Sequence, residues 1–516
     1  MDENVAAALR LLPDYLGQHV ILSASALLLG VALSLPLAVL AARRPAIRWP
    51  VLAAASLIQT IPGLALLALF YPLLLALSAL TVAAFGLALP ALGFLPSLLA
   101  LTLYSMLPIL RNGVAGLTGV DPAVLEAADG VGMTPAQRLW KVEAPLAAPV
   151  VMAGVRTASV WTIGAATLST PVGQTSLGNY IFSGLQTENW VFVLFGCGAS
   201  AALALVVDQL LGLIEAGAGR RDLRRIGLGL AGLVLGAGIA LAPMVRAAPP
   251  TYVVGAKNFS EQFILASVIQ DRLERAGARV ERKDGLGSAV IFRALAAGDI
   301  DVYVDYSGTL WTNVMGRKDT PPRAVMLAEI TRFLRARYGV EVLGPLGFEN
   351  AYALAMRADQ ARALGVASLS DLAARAPQLT LGGDLEFLSR PEWTAIRTAY
   401  GLRFRAQKSF NPTFMYRAIE GGEADVISAF SSDGRIAADR LTVLSDPRGA
   451  IPAYDAVVLI SPKRVGDGRL QRALRPMLGK IAVEKMRQAN LMVDRDHDKR
   501  APEEAGRWLA AASGLN

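Results

Sequence analysis

The chain has 516 residues, enough for several domains, and at 53% hydrophobic with a mean hydropathy of +0.43 it is too apolar to be wholly soluble. Its net charge of +8 comes without a basic stripe interleaved with aromatics, which argues against a nucleic-acid partner, and the single cysteine, Cys197, excludes a disulfide framework within the chain. His19 and His497 are too few and too far apart to suggest a metal site, so both are read as ordinary polar residues and no metal is expected.

In chain order, the long charge-free runs lie between residues 17 and 245, and most of the charge lies in 251–516. This pattern predicts a membrane half followed by a soluble half. A span needs about 20 apolar residues. The candidates are 17–42, a long block at 51–110, about 148–170, 190–214 and 226–245. Arg43, Arg44 and Arg48 follow the first, Arg111 follows the block, and Arg220, Arg221, Arg224 and Arg225 precede the last, which puts all three places on the cytoplasmic side. The block therefore crosses an even number of times. Two long spans fit best, leaving a surplus apolar piece near Leu73–Pro90 that is extracytoplasmic or re-entrant; four short spans are the alternative. About six transmembrane helices result, with the N-terminus and everything after 246 outside.

Between the block and the next span, LEAADGVGMTPAQRLWKVEAPLAAP (125–149) is polar and charged, a two-helix loop suited to docking a soluble partner. Glu126-Ala127-Ala128 is read as opening a helix, Gly132 as breaking it, and Val142 and Pro145 as closing the pattern. Ala127 and Ala128 allow close helix approach, Gly132 permits the bend, and Arg138 and Lys141 keep the loop cytoplasmic. Farther along, IGLGLAGLVLGAGIALAPMVRAAPP (226–250) follows a basic cluster and also has the order of a signal peptide, with Val245 and Ala247 fitting a cleavage site. A sixth span that tethers the soluble half is the preferred reading, because tethering raises the effective concentration of a receptor at a pore.

From Thr251 the pattern changes to short strands alternating with amphipathic helices that start near Ser260 and Ser288, which implies an α/β fold with a parallel sheet. An internal repeat sharpens this. ALAAGDIDVYVDYSG (294–308) aligns without a gap on AIEGGEADVISAFSS (418–432), matching Gly298 to Gly422, Asp301 to Asp425 and Ser307 to Ser431, with Tyr306 on Phe430. Each copy reads as a helix, a glycine turn and a buried strand that delivers an aromatic at its carboxyl end, the edge where open α/β sheets bind ligands. Two such lobes facing each other make a cleft between rings.

These motifs resemble the osmoprotectant (glycine betaine, choline, carnitine) ABC importers, here as a permease fused to its substrate-binding protein. The resemblance rests on TIPGLALLAL (60–69), LYSMLPILRNGVAGL (103–117) and the loop at 125–149 in the membrane half, and on KNFSEQ (257–262), GDIDVYVDYSGT (298–309), FENAYALAM (348–356), SAFSSDGRI (428–436) and PAYDAVVLI (452–460) in the soluble half. It implies a membrane all-α permease over 1–225, a last transmembrane helix and linker over 226–250, and a two-lobed domain like the type II periplasmic binding proteins over 251–516. Lobe 1 is then about 251–350 and 456–516, and lobe 2 about 351–455. It implies that Glu126, Ala127, Ala128, Gly132 and Pro145 belong to a coupling helix that seats in a separate ATPase. It also implies that Tyr306, Tyr352, Phe430 and Tyr454 cage a quaternary ammonium, with Gln262 and Asn350 bonding the ligand's polar end. Many relatives carry Tyr where Phe430 stands; the ring face survives and a hydroxyl is lost. A trimethylammonium has no N–H to donate, so ring quadrupoles suit it, at about 0.5–2 kcal/mol each.

The expected function is the permease and receptor of an ABC importer for a quaternary-ammonium solute; an importer of amino acids or other small polar solutes and a solute-gated channel or sensor are the alternatives. No GxxxxGK[ST] phosphate loop occurs in the sequence, so ATP is expected to be used by a partner ATPase and the chain to carry no cofactor and no enzymatic activity of its own. The remaining expected partners are a second permease copy, identical or paralogous, membrane lipid and a small zwitterionic or cationic solute. The expected location is the bacterial inner membrane, with 251–516 extracytoplasmic.

Overall fold

The computed structural model describes residues 3–86, 89–187, 189–246, 251–317, 319–410, 412–495 and 498–515. His497 and the cleavage-site residue Ala247 lie outside the described residues. The chain divides into two compact units, one holding the bulk of the membrane helices and the other the α/β part from Tyr252 onward.

The helical part runs α1 (Glu3–Arg43), α2 (Pro45–Thr60), α3 (Gly63–Phe85), α4 (Phe94–Thr118), α5 (Pro122–Gly130), α6 (Pro135–Arg138), α7 (Ala144–Ala166), α8 (Gly178–Gln186), α9 (Trp190–Arg220) and α10 (Leu223–Arg246). Among the described residues six helices are long and apolar enough to cross a membrane: α1, α3, α4, the run Pro135–Val172 that contains α6 and α7, α9 and α10. The two long spans expected within 51–110 are α3 and α4, but the chain breaks earlier than expected. Pro62 has no N–H to donate and disfavours a helical Ile61, which is extended at φ −71° and ψ 126°, so α2 stops there. Residues 73–85, expected as a separate apolar piece, continue α3 instead. Charges on two of these helices are paired, as a low-dielectric surrounding favours: Arg156 of α7 holds Asp208 of α9 through two hydrogen bonds of 2.5 and 2.7 Å and reaches Glu215 at 3.3 Å. His19 is fully buried in α1 and its Nδ1 accepts the Leu177 N–H at 3.4 Å, so it packs rather than facing solvent.

The α/β part consists of β1 (Tyr252–Lys257), α11 (Ser260–Arg275), β2 (Val280–Leu286), α12 (Ser288–Ala297), β3 (Val302–Tyr306), β4 (Glu341–Glu349), β5 (Tyr352–Arg357), β6 (Thr380–Gly383), β7 (Ala406–Ser409), β8 (Val426–Phe430), β9 (Leu441–Val443) and β10 (Asp455–Ile460), with further helices between them. They build two five-stranded sheets, β2-β1-β3-β10-β4 and β7-β6-β8-β5-β9. The sheets are mixed and not parallel as expected: β10 runs antiparallel to β3 and β4, and β5 antiparallel to β8 and β9. The strands β5 and β10 are where the chain crosses from one sheet to the other, and a strand entered by such a crossover is free of the right-handed helical connection that makes neighbours parallel.

The repeat is visible in the backbone. Gly298 and Gly422 turn the chain at φ +79° and +75°, values that favour glycine. Asp301 and Asp425 then each accept a backbone N–H from the neighbouring strand's start, Val253 and Thr380, both at 2.8 Å. Ser307 and Ser431, one residue past each strand, clasp the two crossovers. The Ser307 hydroxyl donates to Ala453 O and accepts from Asp455 N, and the Ser431 hydroxyl donates to Glu349 O and accepts from Ala351 N. The crossovers meet where Asn350 N donates to Tyr454 O at 2.9 Å.

Candidate functional site

The cage expected from the sequence is assembled by strand register. Phe430 ends β8 and pairs with Tyr352, the first residue of β5; Tyr306 ends β3 and pairs with Ala456, two residues after Tyr454. Each repeat aromatic therefore stands beside a tyrosine delivered by a crossover. Tyr352 contacts both Phe430 and Tyr454, with ring centroids 4.9 and 5.6 Å apart. A fifth ring, Phe259, lies stacked between the two lobes' aromatics, 6.2 Å from Tyr306 and 6.1 Å from Phe430. It sits in the KNFSEQ motif, three residues before the Gln262 singled out above. All five rings line a cavity of about 380 Å³, a volume within the range of small-molecule sites. Burial raises the Tyr306, Tyr352 and Tyr454 phenols well above their ordinary value, so each presents a neutral ring.

The polar end of the cavity differs from the expectation. Gln262 is buried behind the cage: its Nε2 donates to the Tyr306 hydroxyl at 3.0 Å and its Oε1 accepts the Lys257 N–H, so it orients a ring and is spent on the protein. Asn350 does line the cavity, although its amide donates to Glu261 Oε1 at 3.0 Å. The cationic groups on the wall are Lys257 and Arg390, which the sequence did not single out. Lys257 is paired with the buried Asp305. Arg390 is 5% exposed and enters from lobe 2, where it hydrogen-bonds Thr309 of lobe 1 at 3.1 Å, pairs with Glu386 at 2.5 Å and Glu392 at 3.4 Å, and lies 5.1 Å from the centre of the Tyr352 ring. Burial opposes its charge, but the Tyr352, Tyr454, Glu392 and Glu386 oxygens outweigh that and hold the guanidinium above its ordinary value. The Ser288 hydroxyl donating to Glu386 at 3.1 Å and the Thr312 hydroxyl donating to Glu392 at 2.9 Å join the lobes beside it.

In the loop at 125–149, the helix opens earlier than expected. Asp121 caps it by accepting the Ala123 N–H at 2.9 Å and Pro122 supplies the first turn, which puts Glu126, Ala127 and Ala128 in the second turn of α5. Gly132 ends it at φ +78°. Thr134 and Gln137 form a reciprocal cap for α6, and a π turn at Leu139–Glu143 continues without a break into α7, with Pro145 in its first turn. Arg138 ties the loop together by bonding Asp129 of α5 at 2.7 Å and Glu143 at 2.8 Å. Glu126 and Ala127 are exposed, Ala128 is buried, and Val131 and Trp140 stand out at 74% and 73% exposure.

Two family models match the chain. Residues 250–511 fit the substrate-binding domain of the ABC-type glycine betaine transport system, and residues 34–220 fit the binding-protein-dependent transport system inner membrane component. The chain belongs to the ABC importers of the glycine betaine type. It joins a permease and a substrate-binding domain in one polypeptide; both are transport components and neither is an enzyme. Such a permease with six apolar helices places this importer subunit in the inner membrane, with its binding domain extracytoplasmic, and implies an ATPase partner and a small solute. The subunit is 28% identical over 85% of its length to an ergothioneine transport permease/ergothioneine binding protein of Helicobacter pylori, of which it covers 79%. Its membrane part is 39% identical, over 38% of this chain and 84% of the relative, to a choline transport system permease protein of Bacillus subtilis. Its fold is also like that of a glycine betaine/carnitine/choline ABC transporter crystal structure at 23% identity and a TM-score of 0.45, covering 51% of this chain and 99% of that one.

Proposed function

We propose that the solute is a zwitterion with a quaternary ammonium at one end and a carboxylate at the other. The observation that carries this reading is the convergence of five neutral rings on one cavity whose wall also presents the Arg390 guanidinium, beside the Tyr352 ring. Rings attract a cation that has no N–H to satisfy, and a planar guanidinium matches a carboxylate in bidentate fashion. Glycine betaine and carnitine have both groups. A larger betaine such as ergothioneine is favoured as a second reading by the Helicobacter pylori relative, which has the same permease and receptor fusion. An amino-acid receptor needs an acid placed to take an α-ammonium; of the two carboxylates that line the cavity, Glu386 is paired with Arg390 and Asp384 is engaged as the cap of the helix Leu385–Ser389, accepting the Phe387 N–H at 2.9 Å.

Uptake is driven by a separate ATPase that docks on α5–α6, where exposed Val131 and Trp140 supply apolar contact around Glu126 and Gly132, and two permease copies form the pore. A titration of the full-length protein in nanodiscs with glycine betaine, choline, carnitine, ergothioneine and proline tests the receptor reading. Binding of at least one trimethylammonium carboxylate, tighter than choline and with proline inert, is the expected result. Tighter binding of an ordinary amino acid than of every betaine overturns it.

A further inference from the structure

Glu261 lies in the first turn of α11, is 3% exposed, and lines none of the cavity described above. Its carboxylate collects four donors from four different places. Oε1 accepts from the Tyr306 hydroxyl of β3 at 2.5 Å and from the Asn350 amide on the crossover at 3.0 Å. Oε2 accepts from the Ser432 hydroxyl, two residues past the cage ring Phe430 of lobe 2, at 2.6 Å and from the Asn490 amide of the helix Val483–Asp494 at 3.0 Å. Burial raises this carboxyl above the ordinary glutamate range while the four donors act in the opposite sense. A buried carboxylate with every strong acceptor direction filled is costly to disturb, since each donor it releases is left without a partner.

We propose that Glu261 is the positioning residue that couples the ring cage to the orientation of the two lobes. One oxygen fixes the hydroxyl of Tyr306, a cage ring of lobe 1, and the other fixes Ser432 at the end of the strand that carries Phe430, the opposing ring. A rotation of lobe 2 against lobe 1 cannot keep both sets of bonds, so the carboxylate biases the lobes toward the arrangement in which the rings converge. The Asn490 amide also donates to Ser432 O at 2.9 Å, which fixes its nitrogen as the donor toward Glu261. Replacement of Glu261 by Gln preserves volume and removes the charge; its NH2 group meets the fixed Asn490 nitrogen if it takes the place of Oε2, and deprives the Tyr306 hydroxyl of its acceptor if it takes the place of Oε1.

The proposal rests on reading the cavity as the solute site, but its first test needs no solute. In the full-length chain, with Cys197→Ser, nitroxides at the exposed Ala336 of lobe 1 and Thr398 of lobe 2 report the interlobe distance. Glu261→Gln and Ser432→Ala are expected to broaden the distance distribution in the ligand-free protein, the first more than the second. With glycine betaine or ergothioneine, whichever the unsubstituted protein binds, Glu261→Gln is expected to weaken binding at least tenfold, and Tyr306→Phe added to it is expected to cost less than Tyr306→Phe alone. An unchanged distance distribution in Glu261→Gln, with only a lower melting temperature, overturns the proposal and leaves the residue a packing element. If neither solute binds the unsubstituted protein, the solute assignment fails while the distance measurement still decides the coupling.

Discussion

Replacing Arg390 by Met separates the two ends of the proposed ligand. The substitution keeps an aliphatic stem over the Tyr352 ring and removes every donor of the guanidinium, including the bond to Thr309. A hydrogen bond to a charged group contributes about 1.5–3 kcal/mol. At about 1.4 kcal/mol per tenfold in affinity, a betaine carboxylate then loses about 10- to 150-fold. Choline has the same trimethylammonium and no carboxylate, so it feels only the indirect effects. Those effects are real, because Glu392 keeps the Tyr454 and Thr312 hydroxyls but loses its cation, and breaking a buried pair costs about 3–5 kcal/mol of stability. They act on both ligands alike and cancel in a ratio. Calorimetric titration of full-length Arg390→Met and unsubstituted protein in nanodiscs, with glycine betaine or ergothioneine against choline, should show the ratio of dissociation constants rising by about 10- to 150-fold. An unchanged ratio refutes the reasoning and makes Arg390 a strut between the lobes.

Leu at Phe259, Tyr352 or Phe430 is expected to cost about 0.5–2 kcal/mol of solute affinity each, and Phe at Tyr352 much less than Leu; equal losses for Phe and Leu at Tyr352 in the same titration would sink the cage. Gly132→Trp forces a side chain into the left-handed region at about 1–2 kcal/mol and places an indole on the docking face; ATP-driven uptake into proteoliposomes should be abolished while solute affinity is kept, and normal uptake would remove α5–α6 from coupling. Burial and the neighbouring Asp433 carboxylate push Asp494 up to about 7. A raised acid is protonated in the folded state where the unfolded state is not, so its stabilisation is lost as pH rises through the folded value: thermal unfolding should show roughly 1 kcal/mol less stability at pH 8 than at pH 6, and the difference should shrink in Asp494→Asn, which leaves Asp433 as the remaining raised carboxyl of the pair.

The parts of this molecule that were legible in the sequence are those set by short-range periodicity. Strand-end aromatics at Tyr306 and Phe430 follow from a repeat whose glycine, aspartate and serine each do the same job twice, and the helix starts at Ser260 and Ser288 follow from local pattern. Arg390 was not legible, because it stands between two short helices of lobe 2 and reaches the cavity only through the folding of one lobe onto the other, a long-range event with no local signature. Phe259 was overlooked although its motif was in view; a side chain just before a helix start is aimed by the entry angle of the chain, which spacing does not report. The Asp121-Pro122 pair was a readable start signal for α5 that the attention to Glu126 passed over. The break at Pro62, just after Gln59 and Thr60, was readable too, but a run 60 residues long without a charged residue offers only weak marks of where one helix ends.

The single hydrogen bond between Asn350 N and Tyr454 O joins the two places where the chain leaves and re-enters lobe 1. Lobe 2 is thus an insertion whose ends are neighbours, clasped on either side by Ser307 and Ser431. Segments with adjacent ends and their own core tolerate being moved as a block. Two of the five cage rings, Tyr352 and Phe430, travel with that block along with Arg390, while Phe259, Tyr306 and Tyr454 stay behind. Recombination that swaps 351–453 between related receptors would therefore exchange Arg390 and two of the rings in one step, leaving the membrane helices and the loop at 125–149 untouched, so ligand preference can change faster than the transport machinery it serves.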